Sequence, residues 1–321
     1  MGDIAPFEFI TKLEPIQSVL SVAVADSGRV LICHRGTPAG AKHTAVAGLW
    51  DGPANERLWE APMSWPYACA LAEDGVAYIG ERTYNAGPSS VRVLDGERGR
   101  VVHTWTLPFD QLCSCALSPD GATLAVAGSG GDQLPRLYDT TDREAAPRKS
   151  MKGNKAGSMK QLSWSPEGTW LFSLAEKSHS NPEHTVAVRP PSKRKRRWHA
   201  VARDALALAG DRAVTLEPNG SVRLWSFDAP EPLASAPTDD VRMYPPGTLA
   251  RIHGGEFIAL AMSSKLYIFD AEDLALRRVW KLHGASAPYL SASPNGRYLT
   301  IRSGDGHRVF LARSQALIAP A

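Results

Sequence analysis

The sequence lacks the short motifs by which metal sites, phosphate loops and common hydrolases are recognised. Its four cysteines form no Cys-x-x-Cys pair, and its nine histidines show neither His-x-His nor His-Glu-x-x-His spacing, which are usual zinc-ligand patterns. No Gly-x-Ser-x-Gly nucleophile motif occurs. The glycine-rich segment "GSGGDQ" (128–133) lacks the Lys-Ser/Thr ending of a phosphate loop and is typical of a turn. We therefore predict no metal, no cofactor and no catalytic residue.

Long apolar runs and a strong charge bias are missing as well. No stretch approaches the roughly 18 apolar residues that a membrane span needs, and "MGDIAPFEFITKLEP" shows no secretory-signal pattern. Few cysteines without an export signal fit a reducing compartment. The 36 Lys and Arg nearly balance 33 Asp and Glu, for a net charge of +3, so any basic character is local. We expect a cytoplasmic protein that binds no membrane.

Proline and glycine, by contrast, occur along the whole sequence and punctuate a repeated pattern. The 24 prolines and 27 glycines predict many short elements joined by turns. The segment "CSCALSPDGATLAVAG" (113–128) has an apolar run, a Pro-Asp-Gly turn and a second apolar run, which is typical of a β-hairpin. The pattern returns in "LSWSPEGTWLFSLA" (162–175), "LSASPNGRYLTIRS" (290–303) and four weaker copies.

These hairpins recur at a regular interval. Glycine occupies the turn in six copies, and an aspartate takes the aligned position in the fifth. The turn positions are Gly28, Gly75, Gly121, Gly168, Asp211, Gly255 and Gly296. Their successive spacings are 47, 46, 47, 43, 44 and 41 residues, which is the length of one four-stranded propeller blade.

Two further apolar segments follow the hairpins. The predicted third strands are "VAGLWDG" (46–52), "VRVLDG" (91–96), "PRLYDT" (135–140), "TVAVRPP" (185–191), "SVRLWSF" (221–227), "KLYIFDA" (265–271) and "HRVFLAR" (307–313). Four predicted fourth strands are "ERLWEA" (56–61), "VVHTWTL" (101–107), "KRRWHA" (195–200) and "LRRVWKL" (276–282). These fourth strands align Trp59, Trp105, Trp198 and Trp280 at similar positions.

The segments "LSPDGATLAVAG" followed by "RLYD", and "GSVRLWS", resemble repeats of the WD-repeat β-propeller family. The resemblance extends from about residue 15 to about residue 312. Only "LWDG" (49–52) contains a Trp-Asp dipeptide, and the Gly-His dipeptide that opens many family repeats is missing. The buried Asp-His-Ser-Trp network of the family therefore cannot be transferred here. We expect a divergent propeller held mainly by apolar packing.

The resemblance implies a single all-β domain over residues 1–321, a seven-bladed β-propeller of four-stranded antiparallel blades. In the family the N-terminal strand completes the last blade and hides two sheet edges. That role falls here to "FEFITKL" (7–13), and the alternative is that "QALIA" (315–319) fills the place. The predicted blades span roughly 15–61, 62–107, 108–151, 152–199, 200–240, 241–282 and 283–312.

The repeat alignment also accounts for the cysteines. Cys115 occupies a position that is apolar in every copy. The equivalent residues are Val22, Cys69, Leu162, Ala205, Leu249 and Leu290. A thiol in such a position behaves as a small apolar side chain, so we expect these cysteines to pack in the core.

Candidate binding residues come from the connections between second and third strands. Three of these are long and polar, "HRGTPAGAKHT" (34–44), "ERTYNAGPSS" (81–90) and "EKSHSNPEHT" (176–185). In the predicted fold they leave the same face, and binding residues concentrate on loops carried by rigid scaffolds. The alternative is that long loops are merely tolerated insertions. The candidate partner-binding residues are Arg35, Lys42, His43, Arg82, Tyr84, Asn85, Lys177 and His179.

The most basic stretch is "PPSKRKRRWHA" (190–200), and its candidate anion-binding rim is Lys193, Arg194, Lys195, Arg196 and Arg197. Alone it is typical of a nuclear address or a nucleic-acid arm. In register with the repeats it becomes a loop and the outermost strand of the fourth blade. Lys and Arg on an edge strand also discourage edge-to-edge aggregation. We favour the edge-strand interpretation over an acidic or phosphate-bearing partner and over a targeting signal.

The resemblance implies a non-catalytic scaffold that docks one or more protein partners as a subunit of a complex. A fold does not itself specify function, so two alternatives stay open. One is a propeller enzyme, a hydrolase or lyase, in which carboxylates or a metal converge at the central channel. The other is a binder of nucleic acid or another polyanion through the basic stretch, which we do not favour.

Overall fold

A computed structural model describes residues 8–12, 18–35, 45–82, 88–129, 135–149, 159–178, 181–189, 198–238, 248–282, 289–303 and 308–318. Within these ranges the strands form four-stranded antiparallel sheets, seven in number. The prediction of an all-β fold made of such sheets is confirmed. No helix of the described part is long and apolar enough to cross a membrane.

The first strand, β1 (Glu8–Lys12), belongs to the last sheet, and the next strands form sheets 1 to 3 in chain order. Sheet 1 contains β2 (Val19–Val24), β3 (Arg29–Arg35), β4 (Ala45–Asp51) and β5 (Glu56–Met63). Sheet 2 contains β6 (Pro66–Leu71), β7 (Ala77–Glu81), β8 (Ser90–Leu94) and β9 (Val101–Thr106). Sheet 3 contains β10 (Gln111–Leu117), β11 (Thr123–Ser129), β12 (Arg136–Asp139) and β13 (Arg148–Lys149).

Sheets 4 to 6 repeat this order. Sheet 4 contains β14 (Met159–Trp164), β15 (Leu171–Ser178), β16 (Asn181–Arg189) and β17 (Trp198–Ala202). Sheet 5 contains β18 (Asp204–Ala207), β19 (Arg212–Leu216), β20 (Val222–Ser226) and β21 (Ala234–Ala236). Sheet 6 contains β22 (Thr248–Ile252), β23 (Phe257–Met262), β24 (Lys265–Asp270) and β25 (Leu276–Lys281), with a 3-10 turn at His253–Gly255.

Sheet 7 combines the two ends of the chain. It contains β26 (Tyr289–Ala292), β27 (Tyr298–Arg302) and β28 (Arg308–Arg313), and β1 is its fourth strand. β1 runs antiparallel to β28, with Glu8 opposite Leu311 and Lys12 opposite Arg308. The segment "QALIA", the alternative candidate for that strand, contributes instead to a short helix, α1 (Ser314–Ile318).

Glycine sets the turn between the first two strands of each sheet. Gly28 has a φ of 86°, and a Cβ there would lie 2.9 Å from the Pro53 ring. In sheet 5 the backbone N–H of Leu208 donates a hydrogen bond to Arg212 O across the turn. Asp211 therefore stands at the position that the turn glycine has in other sheets. The left-handed conformation, however, falls one residue earlier, on Gly210 with a φ of 67°. Only glycine adopts that conformation without strain.

Apolar packing lies between neighbouring sheets. Leu31 and Ile79 belong to a cluster that joins sheets 1 and 2, and Ile32 and Val309 to one that joins sheets 7 and 1. The other clusters join sheets 2 and 3, 3 and 4, 4 and 5, 5 and 6, and 6 and 7. The first strands of successive sheets also contact one another from β2 to β26, and β26 contacts β2. We call these first strands the inner strands.

The thiols aligned with the apolar position are buried, as the repeat alignment predicts. Cys69 and Cys115 are each 9 % exposed and carry no disulfide. Burial raises the pKa of Cys115 well above its ordinary value, so its reactive thiolate form is disfavoured. These cysteines therefore act as core residues.

Several inner strands are joined by polar side chains that lie one residue before the aligned apolar position, which is Cys115 in sheet 3. In each case a side-chain oxygen of one sheet accepts a hydrogen bond from a backbone N–H of the next. The donors and acceptors are Leu162 N and Ser114 Oγ at 3.0 Å, Leu249 N and Asp204 Oδ2 at 2.8 Å, and Leu290 N and Thr248 Oγ1 at 2.9 Å. These bonds satisfy amides at an edge that no further strand pairs.

Two acidic residues join the hairpin turns of sheets 7, 1 and 2. Asp26 is buried and accepts hydrogen bonds from Ser293 Oγ at 2.5 Å and from Asn295 N at 3.0 Å. Glu73 in turn accepts one from Asp26 N at 2.5 Å and one from Ser27 N at 3.1 Å. Both acids stand where three other copies have proline. Each carboxylate thus reaches back to the preceding turn.

The aligned tryptophans of the fourth strands each reach the following sheet or its helix. All three described rings are 6 % exposed. The indole N–H donates from Trp59 to Gly96 O at 3.2 Å, from Trp105 to Arg143 O at 2.9 Å, and from Trp280 to Leu317 O at 3.1 Å. For Trp198 the structure describes the backbone at the start of β17 and not the side chain.

Candidate protein-interaction surface

The antiparallel order of the strands divides the connections between two faces. The tight turns between first and second strands leave one face, which we call the turn face. The connections between second and third strands leave the opposite face, together with those from each fourth strand to the next sheet. We call this the loop face. The arginines and aromatic residues described next lie at strand ends on the loop face of sheets 7, 1 and 2.

Arg82 follows β7 and links sheet 2 to sheet 3. Its Nε donates a hydrogen bond to Leu112 O at 2.6 Å. Its guanidinium carbon lies 3.2 Å from the ring centroid of Tyr67, the second residue of β6. A guanidinium in this position is attracted by the face of the ring. Tyr67 is nevertheless 38 % exposed, so the pair is anchored on one side and open to solvent on the other.

Arg302 makes the equivalent arrangement between sheets 7 and 1. One of its terminal nitrogens donates to Val19 O at 2.8 Å and to Leu20 O at 2.9 Å. Its guanidinium carbon lies 4.0 Å from the ring centroid of Tyr289, which is 40 % exposed. Burial lowers the pKa of Arg302, and Tyr289 and Tyr67 oppose that shift.

A third pair completes this surface. Arg35, exposed at the end of β3, lies 4.0 Å over the ring of Trp65. The buried Glu81 holds the adjoining backbone, because its carboxylate accepts a hydrogen bond from Ser64 N at 2.7 Å and pairs with Arg92 at 2.7 Å. We call the six residues the arginine–aromatic cluster; they are Arg35, Trp65, Tyr67, Arg82, Tyr289 and Arg302.

The inner strands enclose a central cavity of about 260 Å³. Its described lining comes from all seven sheets and combines apolar with polar residues, with Arg251 as the charged residue. No carboxylate contributes to that described lining. Among the described residues no group of three or more His, Cys, Asp or Glu side chains could hold a metal ion.

Comparison with known proteins bears on the fold. The sequence matches no protein-family model and no curated protein. Solved structures with a similar fold are many, and 1510 of their chains match. One, described as the crystal structure of RRP9 WD40 repeats, has a TM-score of 0.71 and covers 98 % of this chain and 99 % of its own. The chain has a WD40-type β-propeller fold. At 13 % identity the likeness extends to the fold alone.

Of the predicted partner-binding residues, two have side chains that the structure describes. Arg35 and Arg82 both belong to the arginine–aromatic cluster. Lys177 is described as backbone within β15 only. The other predicted residues lie outside the described ranges, and they are Lys42, His43, Tyr84, Asn85, His179 and the basic residues Lys193, Arg194, Lys195, Arg196 and Arg197. Their roles stay predictions.

Sequence reasoning missed four members of the cluster, Trp65, Tyr67, Tyr289 and Arg302. A signal was available in the repeats. Tyr67 and Tyr289 both follow a proline at the start of an inner strand, in "WPYACA" and "APYLSA". Arg302 ends a second strand, as Arg35 does. Alignment of these positions across copies, rather than of the loops alone, would have selected the same surface.

Proposed function

We propose that the chain is a non-catalytic scaffold that docks a protein partner on the loop face of a single seven-bladed propeller. Each of the seven sheets serves as one blade, and β1 closes the ring. Three observations support this closure: β1 pairs with β28, apolar packing joins sheets 7 and 1, and Asp26 bonds to the turn of sheet 7. The cytoplasmic location and membership of a complex are part of the same proposal.

The arginine–aromatic cluster is the observation that carries this function. Tyr, Trp and Arg are the residues most enriched at the energetic centres of protein interfaces. Here they cover three adjacent sheets, and their backbones belong to strands or to segments hydrogen-bonded to strands. Little conformational freedom is therefore lost when a partner binds. The predicted loops 34–44 and 81–90 contain Arg35 and Arg82.

The chemistry of the cluster indicates what it recognises. Three guanidinium groups give the surface positive charge, while the exposed tyrosine rings offer flat apolar contact. A complementary partner presents carboxylates beside apolar side chains, because opposite charges steer association and fix register. We therefore propose an acidic segment of a folded or extended protein as the partner.

Affinity purification from the native cell, followed by mass spectrometry, identifies the partner. The double variant Tyr67→Ala/Tyr289→Ala should then bind that partner at least tenfold more weakly, since one lost hot-spot contact costs about 2 kcal/mol or more. The matched control is Leu233→Ala/Leu276→Ala, which removes exposed apolar side chains outside the cluster. If both double variants bind like the wild type while remaining folded, the cluster is not the docking surface.

Arg82, a predicted partner-binding residue, is a poor probe of docking. Its hydrogen bond to Leu112 O links two sheets, so Arg82→Ala is expected to lower stability as well as binding. Tyr67 contacts Arg82 through the face of its ring and is 38 % exposed. The tyrosine variants therefore separate binding from folding more cleanly.

The polyanion alternative rests on the basic stretch alone. It requires binding that weakens steeply with salt and is lost when Lys193 to Arg197 are replaced by serine. On the edge-strand interpretation, the same replacement leaves partner binding intact and increases aggregation, since charge on an edge strand opposes association. Measuring binding to a random-sequence duplex at two salt concentrations distinguishes the two.

A further inference from the structure

Arg251 is placed unusually for a charged residue. It lies in β22, an inner strand, and lines the central cavity near the turn face. Its Nη1 is buried and has no hydrogen-bond partner among the described residues. Burial lowers the pKa of Arg251 to about 10, and attraction from Glu167 opposes that shift. A guanidinium is an obligate donor that stays charged at neutral pH.

A buried charge whose hydrogen-bond donor is unsatisfied is costly. Removing an ionised group from water costs several kcal/mol unless an opposite charge and hydrogen bonds replace the lost hydration. The described lining of the cavity offers Arg251 no carboxylate, but the serines at positions 163 and 291 line the same space. The cavity therefore combines one unsatisfied cationic donor with neighbouring hydroxyl-bearing residues.

We propose that the turn-face end of the central cavity binds a small oxyanion, a phosphate or carboxylate group, through Arg251. Ser163 and Ser291 stand at the same cavity as further polar groups. A guanidinium binds such groups through short, charge-assisted and often paired hydrogen bonds. The cavity volume of about 260 Å³ is below that of pockets for drug-sized ligands, so the ligand is small. This site is separate from the loop-face cluster and does not depend on the docking proposal.

The proposal is tested by calorimetric titration of the full chain with inorganic phosphate and, separately, with acetate. The wild type should show saturable binding of at least one of them at one site. Arg251→Met, which keeps much of the side-chain length without the charge, should weaken that binding about tenfold or more. Arg251→Lys keeps the positive charge but lacks the paired N–H donors of the planar guanidinium group, and it should give an intermediate affinity. Preferred binding of phosphate or of acetate identifies the oxyanion class.

Arg297→Met is the matched control, because Arg297 is an exposed arginine near the same face. It removes the same net charge and should leave the affinity unchanged. Absence of saturable binding to the wild type, or an equal loss in the Arg251 and Arg297 variants, would overturn the proposal. Should the Arg251 variants fail to fold, crystals of the wild type soaked in selenate decide the matter. Anomalous density beside Nη1 supports the site, and density only at exposed arginines refutes it.

Discussion

Asp204 in sheet 5 accepts a hydrogen bond of 2.8 Å from the backbone N–H of Leu249 in sheet 6. Its other carboxylate oxygen accepts one of 2.7 Å from Ala205 N. The residue is 4 % exposed, and burial raises the pKa of Asp204 to about 6, although the hydrogen bonds from Leu249, Ala205 and Gln161 oppose the rise. The carboxyl group of Asp204 thus joins two inner strands and also titrates.

This burial predicts a pH dependence of stability. Between the ordinary pKa of 3.8 and the folded value of about 6, the folded state holds a proton that the unfolded state has lost. The contribution of Asp204 to the free energy of unfolding therefore falls as pH rises from about 4 to about 6, by about 3 kcal/mol, and is constant above. Asp204→Asn should remove this slope, because an amide does not titrate in this range.

Urea unfolding of both proteins at pH 4, 5, 6 and 7 measures the difference. Asp142→Asn is the control, since Asp142 is an exposed aspartate in a turn, and it should reproduce the wild-type curve. Parallel curves for the wild type and Asp204→Asn would show that Asp204 does not titrate in this range.

Arg302 should stabilise the fold through its contact between sheets 7 and 1. Arg302→Ala removes two hydrogen bonds to the carbonyls of Val19 and Leu20 and is expected to lower the free energy of unfolding by about 2 kcal/mol. Arg302→Lys should recover part of that loss. Chemical denaturation provides the measurement, with Arg297→Ala as the exposed control. If Arg302→Ala lowers the free energy of unfolding no more than Arg297→Ala does, Arg302 does not stabilise the contact between sheets 7 and 1.

Trp105 tests the contact from a fourth strand to the next sheet. Trp105→Phe keeps a ring against Tyr138, whose centroid lies 4.9 Å away, but loses the hydrogen bond to Arg143 O. We expect a loss of about 1 kcal/mol, and about 3–5 kcal/mol for Trp105→Ala. Val102→Ala in the same strand, 49 % exposed, should change stability by less than about 0.5 kcal/mol. Equal losses at both positions would contradict this role.

The N-terminal strand tests the proposed ring closure. Deleting residues 1–13 removes β1 and leaves β28 without its outer partner. The loss is on the order of 4 kcal/mol, at about 1 kcal/mol per backbone hydrogen bond, and the new edge should promote aggregation. A synthetic peptide of residues 1–17 should restore the melting temperature, whereas a scrambled peptide should not. A truncated chain as stable as the full one would refute closure by β1.

Repeat spacing and turn chemistry were sufficient to predict the strands. The hairpin copies and the third and fourth segments all correspond to strands, and "KRRWHA" meets β17 at its tryptophan. Such patterns are local: alternation, a turn glycine and an aromatic residue lie within a few positions of one another. The sequence by itself therefore determined the all-β class, the four-strand unit and the burial of Cys69 and Cys115.

Only the tertiary structure decided which polar groups meet between sheets. Asp26 bonds to Ser293, 267 positions away, and Arg302 to Val19, 283 positions away. No local pattern encodes such pairs, because they depend on how the first and last sheets approach. The same holds for the exposed tyrosines over Arg82 and Arg302, and for the unpaired Nη1 of Arg251 in the channel. Residue types and their local periodicity determine the strands of each sheet. The surfaces to which we assign function form only where sheets that are distant in sequence come together.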